Sequence, residues 1–380
     1  MIRTFETHRI REYRELSDSL WNFHTLEGDR KEKTIQVAVP SCWETYPDTL
    51  TYRGKASYSR PFQAEGNVRL EFKGVSYTAK VLVDGKEVAS HYNAYTIFDV
   101  VLKNMPAGTH TLEVIADNTF SEDSALHIPN DYQSYGGISR PVVLEQLGDV
   151  YVKWVHFTPL AEGKDWYGKA DVSIANLSDK TFRGVLELTL NDKVVKELPV
   201  ELQSGETKVF HTEKLAFPDV KNWSPEQPVL YYLAATLQSG EQKLDDLIER
   251  VGFREVRTVG KDILLNGKKL FIKGFFRHED HPQFGCALPF SALQYDLMVA
   301  KDLGANSIRT VHYPNDELFL DLCDEQGILI WEENHARGLS EENMKNPHFK
   351  KQCEDCIQEM IMAHYSHPAI YIGSITNFVG

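Results

Sequence analysis

The feature that most constrains the fold is a change of texture near Thr258. Before it, apolar and polar residues alternate with period two. After it, short apolar runs alternate with longer stretches of helical spacing. A period-two pattern describes half-buried antiparallel strands, whereas buried strands separated by helices describe parallel βα units. One chain therefore joins β domains to an α/β domain.

The period-two part divides further. Val68-Arg69-Leu70-Glu71-Phe72 alternates, and Ala79-Lys80-Val81-Leu82-Val83 runs into Asp84-Gly85, a pair suited to a tight hairpin. Thr111–Asp117 is a further strand. Short strands with turn signals predict a β-sandwich over residues 1–150. Ala170–Asn176, then Val185–Leu190 ahead of the turn Asn191-Asp192, then Val229–Leu233 predict a second, immunoglobulin-like sandwich over residues 151–256. The third region is assigned to residues 257–380. It reads as strand Leu270–Gly274, helix Ser291–Leu303, strand Asn306–Thr310, helix Asp316–Gln326 stopped by Gly327, strand Ile328–Trp331, helix Pro347–Tyr365 and strand Ala369–Ile372. A doubly wound sheet and a (β/α)₈ barrel both fit this pattern. The stretch is about half of the roughly 250 residues that a full barrel takes.

Composition narrows the partners. The 380 residues carry a formal net charge of −14, which argues against nucleic acid and anionic membrane surfaces. No apolar run approaches the ~20 residues of a membrane span, and the N-terminus has no apolar signal segment. The five cysteines read as reduced thiols of a cytoplasmic protein. Cys353-x-x-Cys356 reads as two thiols on one helical face rather than a metal or redox pair. An ordinary doubly wound domain would need a Gly-rich phosphate loop at a strand end, and none is present. No cofactor and no metal are expected.

Polar groups gather after the strands of the third region: Arg277-His278-Glu279-Asp280-His281, His312-Tyr313-Pro314-Asn315, and Glu332-Glu333-Asn334-His335-Ala336-Arg337. In a barrel, the C-terminal strand ends form the active-site rim. Three successive strands delivering such groups to one rim are a site signal.

Four segments carry a more specific resemblance. Tyr135-Gly136-Gly137-Ile138-Ser139-Arg140-Pro141 resembles the loop that ends the sugar-binding domain of glycoside hydrolase family 2. Lys273–Asp280, Ser307–Pro314 and His367–Ile372 resemble that family's first, second and fourth barrel strands. The resemblance implies a jelly-roll sugar-binding sandwich, an immunoglobulin-like sandwich and a partial (β/α)₈ barrel of about four strands. It implies retaining hydrolysis of terminal β-glycosides with no cofactor, and a homo-oligomer is expected. The second β domain offers no chemistry and reads as a spacer and an assembly surface. Arg-His-Glu-Asp after the first strand resembles β-glucuronidases more than β-galactosidases, with Phe276 at the latter's asparagine position. β-Glucuronides are therefore the expected substrates and β-galactosides the alternative.

Retaining hydrolysis needs one carboxylic acid to protonate the leaving oxygen and one carboxylate to attack the anomeric carbon. By the resemblance, the acid is the glutamate of an Asn-Glu pair ending strand four. Here Asn377 is followed by Phe378, which has no proton to transfer. The nucleophile would come from a later strand. The chain is thus expected to be a truncated or altered hydrolase, inactive by itself, with a non-catalytic carbohydrate-binding homologue as the alternative. The resemblance carries over Asp131, His312 and Asn377 as sugar contacts, with Asn377 on the 2-hydroxyl and His335 a looser match. His278 is either a contact or a packed residue under the rim. Tyr132 and Tyr135 are candidates to stack on a sugar ring, and Glu332 and Glu333 read as hydrogen-bonded supports.

Overall fold

The structure is a computed structural model that describes residues 1–28 and 33–374. Asn377 and Phe378 lie outside the described residues.

Among the described residues, three large buried cores succeed one another along the chain. The first is built on an antiparallel sheet in which Tyr13–Glu15, Val142–Leu147, Lys55–Phe72, Phe98–Asp117, Thr78–Val83 and Lys86–Tyr92 are neighbours in that order. A small sheet of Ser41–Cys42, Gly137–Ile138 and Val75–Ser76 closes over it, with Trp21, Phe23, Trp43, Tyr58 and Phe72 fully enclosed between them. The sequence suggests short strands here. Instead, Lys55–Phe72 and Phe98–Asp117 pair over most of their length. Register shifts around Gly66, whose φ is +67°, absorb the strain that would otherwise end the pairing. The Asp84-Gly85 turn adopts positive φ at both residues, as a two-residue hairpin requires.

The second core lies between two four-stranded antiparallel sheets spanning Val150–Val251. Phe157, Trp166, Phe217 and Phe253 meet there in edge-to-face and tilted contacts. Trp223 leaves this region and enters the third core, where its indole N–H donates to the Asp324 carbonyl at 2.8 Å.

The third region holds β1 (Gly274–Arg277), α1 (Phe290–Asp302), β2 (Ser307–Thr310), α2 (Glu317–Gln326), β3 (Leu329–Glu333), α3 (Phe349–His364) and β4 (Ile370–Ser374). All pairings are parallel and the order is β1-β2-β3-β4. A doubly wound sheet reverses direction at a switch point, but this one advances monotonically as a barrel does. β1 starts four residues later than the apolar run Leu270–Gly274 suggests. Phe271 is 75% exposed, and the neighbouring Lys268–Lys269 pairs with Asp262–Leu265 in a separate antiparallel ribbon. Apolar character at this edge thus does not report burial. Gly274 opens β1 because a Cβ there would stand 2.1 Å from the Ser307 carbonyl oxygen. α2 is capped by the Asp316 side chain, which accepts from the Leu318 N–H, and by Gly327 at φ +70°.

Candidate active-site rim

The C-terminal ends of β1, β2 and β3 face a loop of the first β domain. The two are fastened together by buried ionic contacts. Arg140 donates to the carbonyls of Tyr95 (2.7 Å) and Pro314 (2.7 Å) and to Glu279 Oε2 (2.8 Å). The other oxygen of Glu279 accepts from the Asp316 N–H at 2.9 Å. One guanidinium thus fixes the loops after β1 and β2 against the first domain. Burial alone would lower its pKa, but Glu279 and Asp316 outweigh that and hold it raised. Beside this link, Tyr313 stacks on Tyr95 at 3.9 Å.

Around that anchor the side chains form a cup. His278 and His312 have ring centroids 5.3 Å apart, and the Tyr132 ring lies 5.0 Å and 6.1 Å from them. The Tyr132 hydroxyl is 3.2 Å from His335 Nε2. Arg337 donates to Asp131 Oδ1 at 2.6 Å and to Asn130 Oδ1 at 3.1 Å, with its guanidinium 6.0 Å from the Tyr132 ring. Tyr135 donates to Asp280 at 2.5 Å. His278, His312, His335 and Asp131 are therefore drawn together from four chain segments.

The electrostatics follow from burial. His335 is pushed down to about 3, first by burial and then by His312. His278 is lowered for the same two reasons. The His335 ring is therefore neutral near pH 7, able to donate from one nitrogen and accept at the other. Asp131 is exposed, and hydrogen bonding and charge from Arg337 lower its pKa. The arrangement offers hydrogen-bonding imidazole rings, an aromatic face and a guanidinium, which suits a polyhydroxylated ligand carrying an anionic group.

The two carboxylates ending β3 are occupied. Glu332 bonds His364 Nδ1 of α3 at 2.6 Å. Glu333, fully buried, bonds His312 Nδ1 at 3.0 Å and Arg309 Nε. They differ because successive strand residues point to opposite faces. Arg337 is the rim residue that the sequence reading passed over. Its only local signal was its place in the polar run after β3.

Asp321, Asp324 and His367 bring potential metal-ligating atoms within 4.8 Å of one another. Arg3 already forks onto both oxygens of Asp321 at 2.8 and 2.9 Å, and His367 Nδ1 bonds Asp324 at 2.6 Å. A guanidinium supplies the positive charge there, so the cluster reads as an ion-pair network. Among the described residues, no helix is long and apolar enough to cross a membrane.

Family models agree with this architecture over nearly the whole chain. The galactose-binding domain-like model of glycosyl hydrolase 2 matches residues 27–175, the glycosyl hydrolases family 2 model matches 150–254, and that family's TIM barrel domain matches 255–379. A family 2 β-galacturonidase from Eisenbergiella tayi, solved with galacturonate, superposes with a TM-score of 0.96 at 67% identity, covering 98% of this chain and 67% of that one. The chain belongs to glycoside hydrolase family 2. A Bacteroides uniformis β-glucuronidase superposes at 0.87 with 26% identity, over 96% of this chain and 46% of that one. Among curated relatives, a putative β-glucuronidase of Formosa agariphila is 29% identical over 90% of this chain. A β-galactosidase of Thermoanaerobacter pseudethanolicus is 29% identical over 89%. The chain spans 42% and 47% of those two relatives' lengths.

Proposed function

We propose that this chain carries the sugar-binding rim of a retaining β-uronide hydrolase, with β-galacturonides its preferred substrates. The observation that carries the reading is Arg337, a guanidinium held by Asp131 beside Tyr132 and within the histidine cup. A uronic sugar differs from its parent hexose by a carboxylate at C6, and a guanidinium is the side chain whose fork matches a carboxylate. The 67% identical relative named a β-galacturonidase supports galacturonide over glucuronide. This choice departs from the sequence expectation, which rested on Arg277-His278-Glu279-Asp280. A galacturonide shares its carboxylate with glucuronides and its C4 configuration with galactosides, so it reconciles the two substrate readings.

In this proposal the imidazoles of His278 and His312, with Asn377, hydrogen-bond the sugar hydroxyls, while His335, buried beneath the cup, positions Tyr132 through its hydroxyl. Asp131 reaches in from the first domain, keeping Arg337 extended towards the carboxylate. Phe378, at the position of the proton-donating glutamate, supplies no proton, so the 380 residues bind the glycone and do not turn it over.

The test pairs binding with turnover. Calorimetry with galacturonate, glucuronate and galactose should rank galacturonate first. Arg337→Met should weaken galacturonate about 10-fold or more, the scale of a charge-assisted hydrogen bond, and leave galactose unchanged. The nitrophenyl β-galacturonide should not be cleaved by the chain. Equal affinity for galactose and galacturonate would refute Arg337 as the carboxylate partner. Cleavage would refute the role given to Phe378.

A further inference from the structure

Cys42 and Cys286 are 244 positions apart, yet their sulfurs lie 3.5 Å from each other. Cys42 belongs to the small sheet of the first β domain, paired with Gly137. Cys286 belongs to the loop after β1. We propose that these two thiols form a cross-linking site, at which a low-molecular-weight disulfide oxidises them to a bond joining the first domain to the barrel rim.

Two observations beyond the distance support it. The loop is tied to the first domain at one point and braced within itself. Tyr135 donates to Asp280, and His281 and Gly285 exchange backbone hydrogen bonds at 2.8 and 3.0 Å. Gly285 also has φ +59°, and a Cβ there would fall 2.9 Å from the Tyr135 ring and 3.1 Å from Cys42 Sγ. A glycine at that point lets the loop carry Cys286 up to its partner. Closing to an S–S distance of about 2.05 Å then needs roughly 1.5 Å of approach. The other cysteines are placed differently. Cys353 accepts from Asn334 Nδ2 at 3.1 Å, while Cys323 and Cys356 are enclosed in separate cores.

The order of events follows from access. Cys286 is 8% exposed and Cys42 not at all. Burial also keeps the Cys42 thiol protonated, with its pKa well above the ordinary range. Cys286 thiolate therefore attacks the small disulfide and expels one small thiolate, leaving a mixed disulfide. Cys42 then gives up its proton to solvent and attacks Cys286 Sγ, expelling the second small thiolate. Two protein thiols are oxidised and one small disulfide is reduced to two thiols. Because Cys42 is poorly ionised, the link forms slowly and follows the redox poise of its surroundings rather than acting as a fast sensor.

The experiment incubates the reduced, folded chain with millimolar oxidised glutathione, followed by alkylation, digestion and mass spectrometry. The expected product is a Cys42–Cys286 peptide pair lighter by two hydrogens. Hydrogen exchange across residues 278–287 should slow in the oxidised protein. In Cys42→Ser, glutathione should remain on Cys286 and the slowing should vanish. Both cysteines recovered alkylated, a glutathione adduct on Cys286 of the wild-type chain without cross-link, or a bond to any other cysteine would overturn the proposal. None of these readouts depends on sugar binding, so the outcome is separate from the β-uronide reading.

Discussion

Replacing Arg140 by methionine tests what fastens the rim to the first domain. Methionine keeps much of the apolar stem and removes the guanidinium. Arg140 is 4% exposed and Glu279 2%. The substitution leaves the Glu279 carboxylate buried with the Asp316 N–H at 2.9 Å and the more distant Arg277, 3.9 Å away. Breaking a buried pair from one side costs about 3–5 kcal/mol, chiefly because the remaining charge is stranded. The carbonyls of Tyr95 and Pro314 also lose donors at 2.7 Å. Urea unfolding followed by near-ultraviolet circular dichroism should show a loss of that size. The sharper expectation concerns sign. Glu279→Gln should destabilise the native chain but restore stability in the Arg140→Met background, because it removes the stranded charge. If Glu279→Gln costs the same in both backgrounds, Arg140 and Glu279 do not act as a pair and the anchoring argument is wrong.

Three further outcomes follow from buried groups. Burial raises Glu44 from 4.5 to about 7, against the Gly136 N–H that it accepts. Its folded pKa lies above the unfolded one, so its contribution is intact below about pH 4.5 and is lost as pH rises through 7. Glu44→Gln should therefore gain melting temperature relative to the native chain between pH 5 and 8, and parallel profiles would contradict this. His335, lowered to about 3, has the opposite sense: its contribution is complete above pH 6.5 and is lost as pH falls towards 3. Its imidazole resonances should stay at their neutral positions from pH 8 to pH 5, and a midpoint near 6 would refute its burial. Gly136→Ala places a Cβ 2.0 Å from the Trp43 ring, and overpacking of this kind costs about 1–3 kcal/mol. An unchanged thermal midpoint would show that the loop can move away.

Local patterns were readable where the physics is local. The Asp84-Gly85 and Asn191-Asp192 turns carry positive φ, and Gly327 ends α2 as expected, while Asp316, read as the first helical residue, is instead its N-cap. The rim was legible because each strand end places its polar run at the same end of the sheet. What remained hidden depends on partners far away in sequence. Arg140 and Glu279 are 139 residues apart, and Arg3 and Asp321 are 318 apart. No periodicity links such pairs. β1 was misplaced because Leu270–Ile272 is apolar without being buried, and hydrophobicity locates a strand only through burial.

Arg337 shows the same limit at the site itself. In sequence it is the last polar residue of a run, indistinguishable from a solvated loop residue. Its meaning comes from Asp131, 206 residues earlier, which reaches across from the first domain to hold it. The first domain therefore does more than flank the barrel. It supplies Asp131 and Tyr132 to the cup, and through Arg140 it sets where the loops after β1 and β2 stand. The rim is a property of two domains docked together. If the cup binds a uronic sugar as proposed, a substitution that loosens the docking, such as Arg140→Met, should weaken galacturonate binding in calorimetry without touching any residue of the cup.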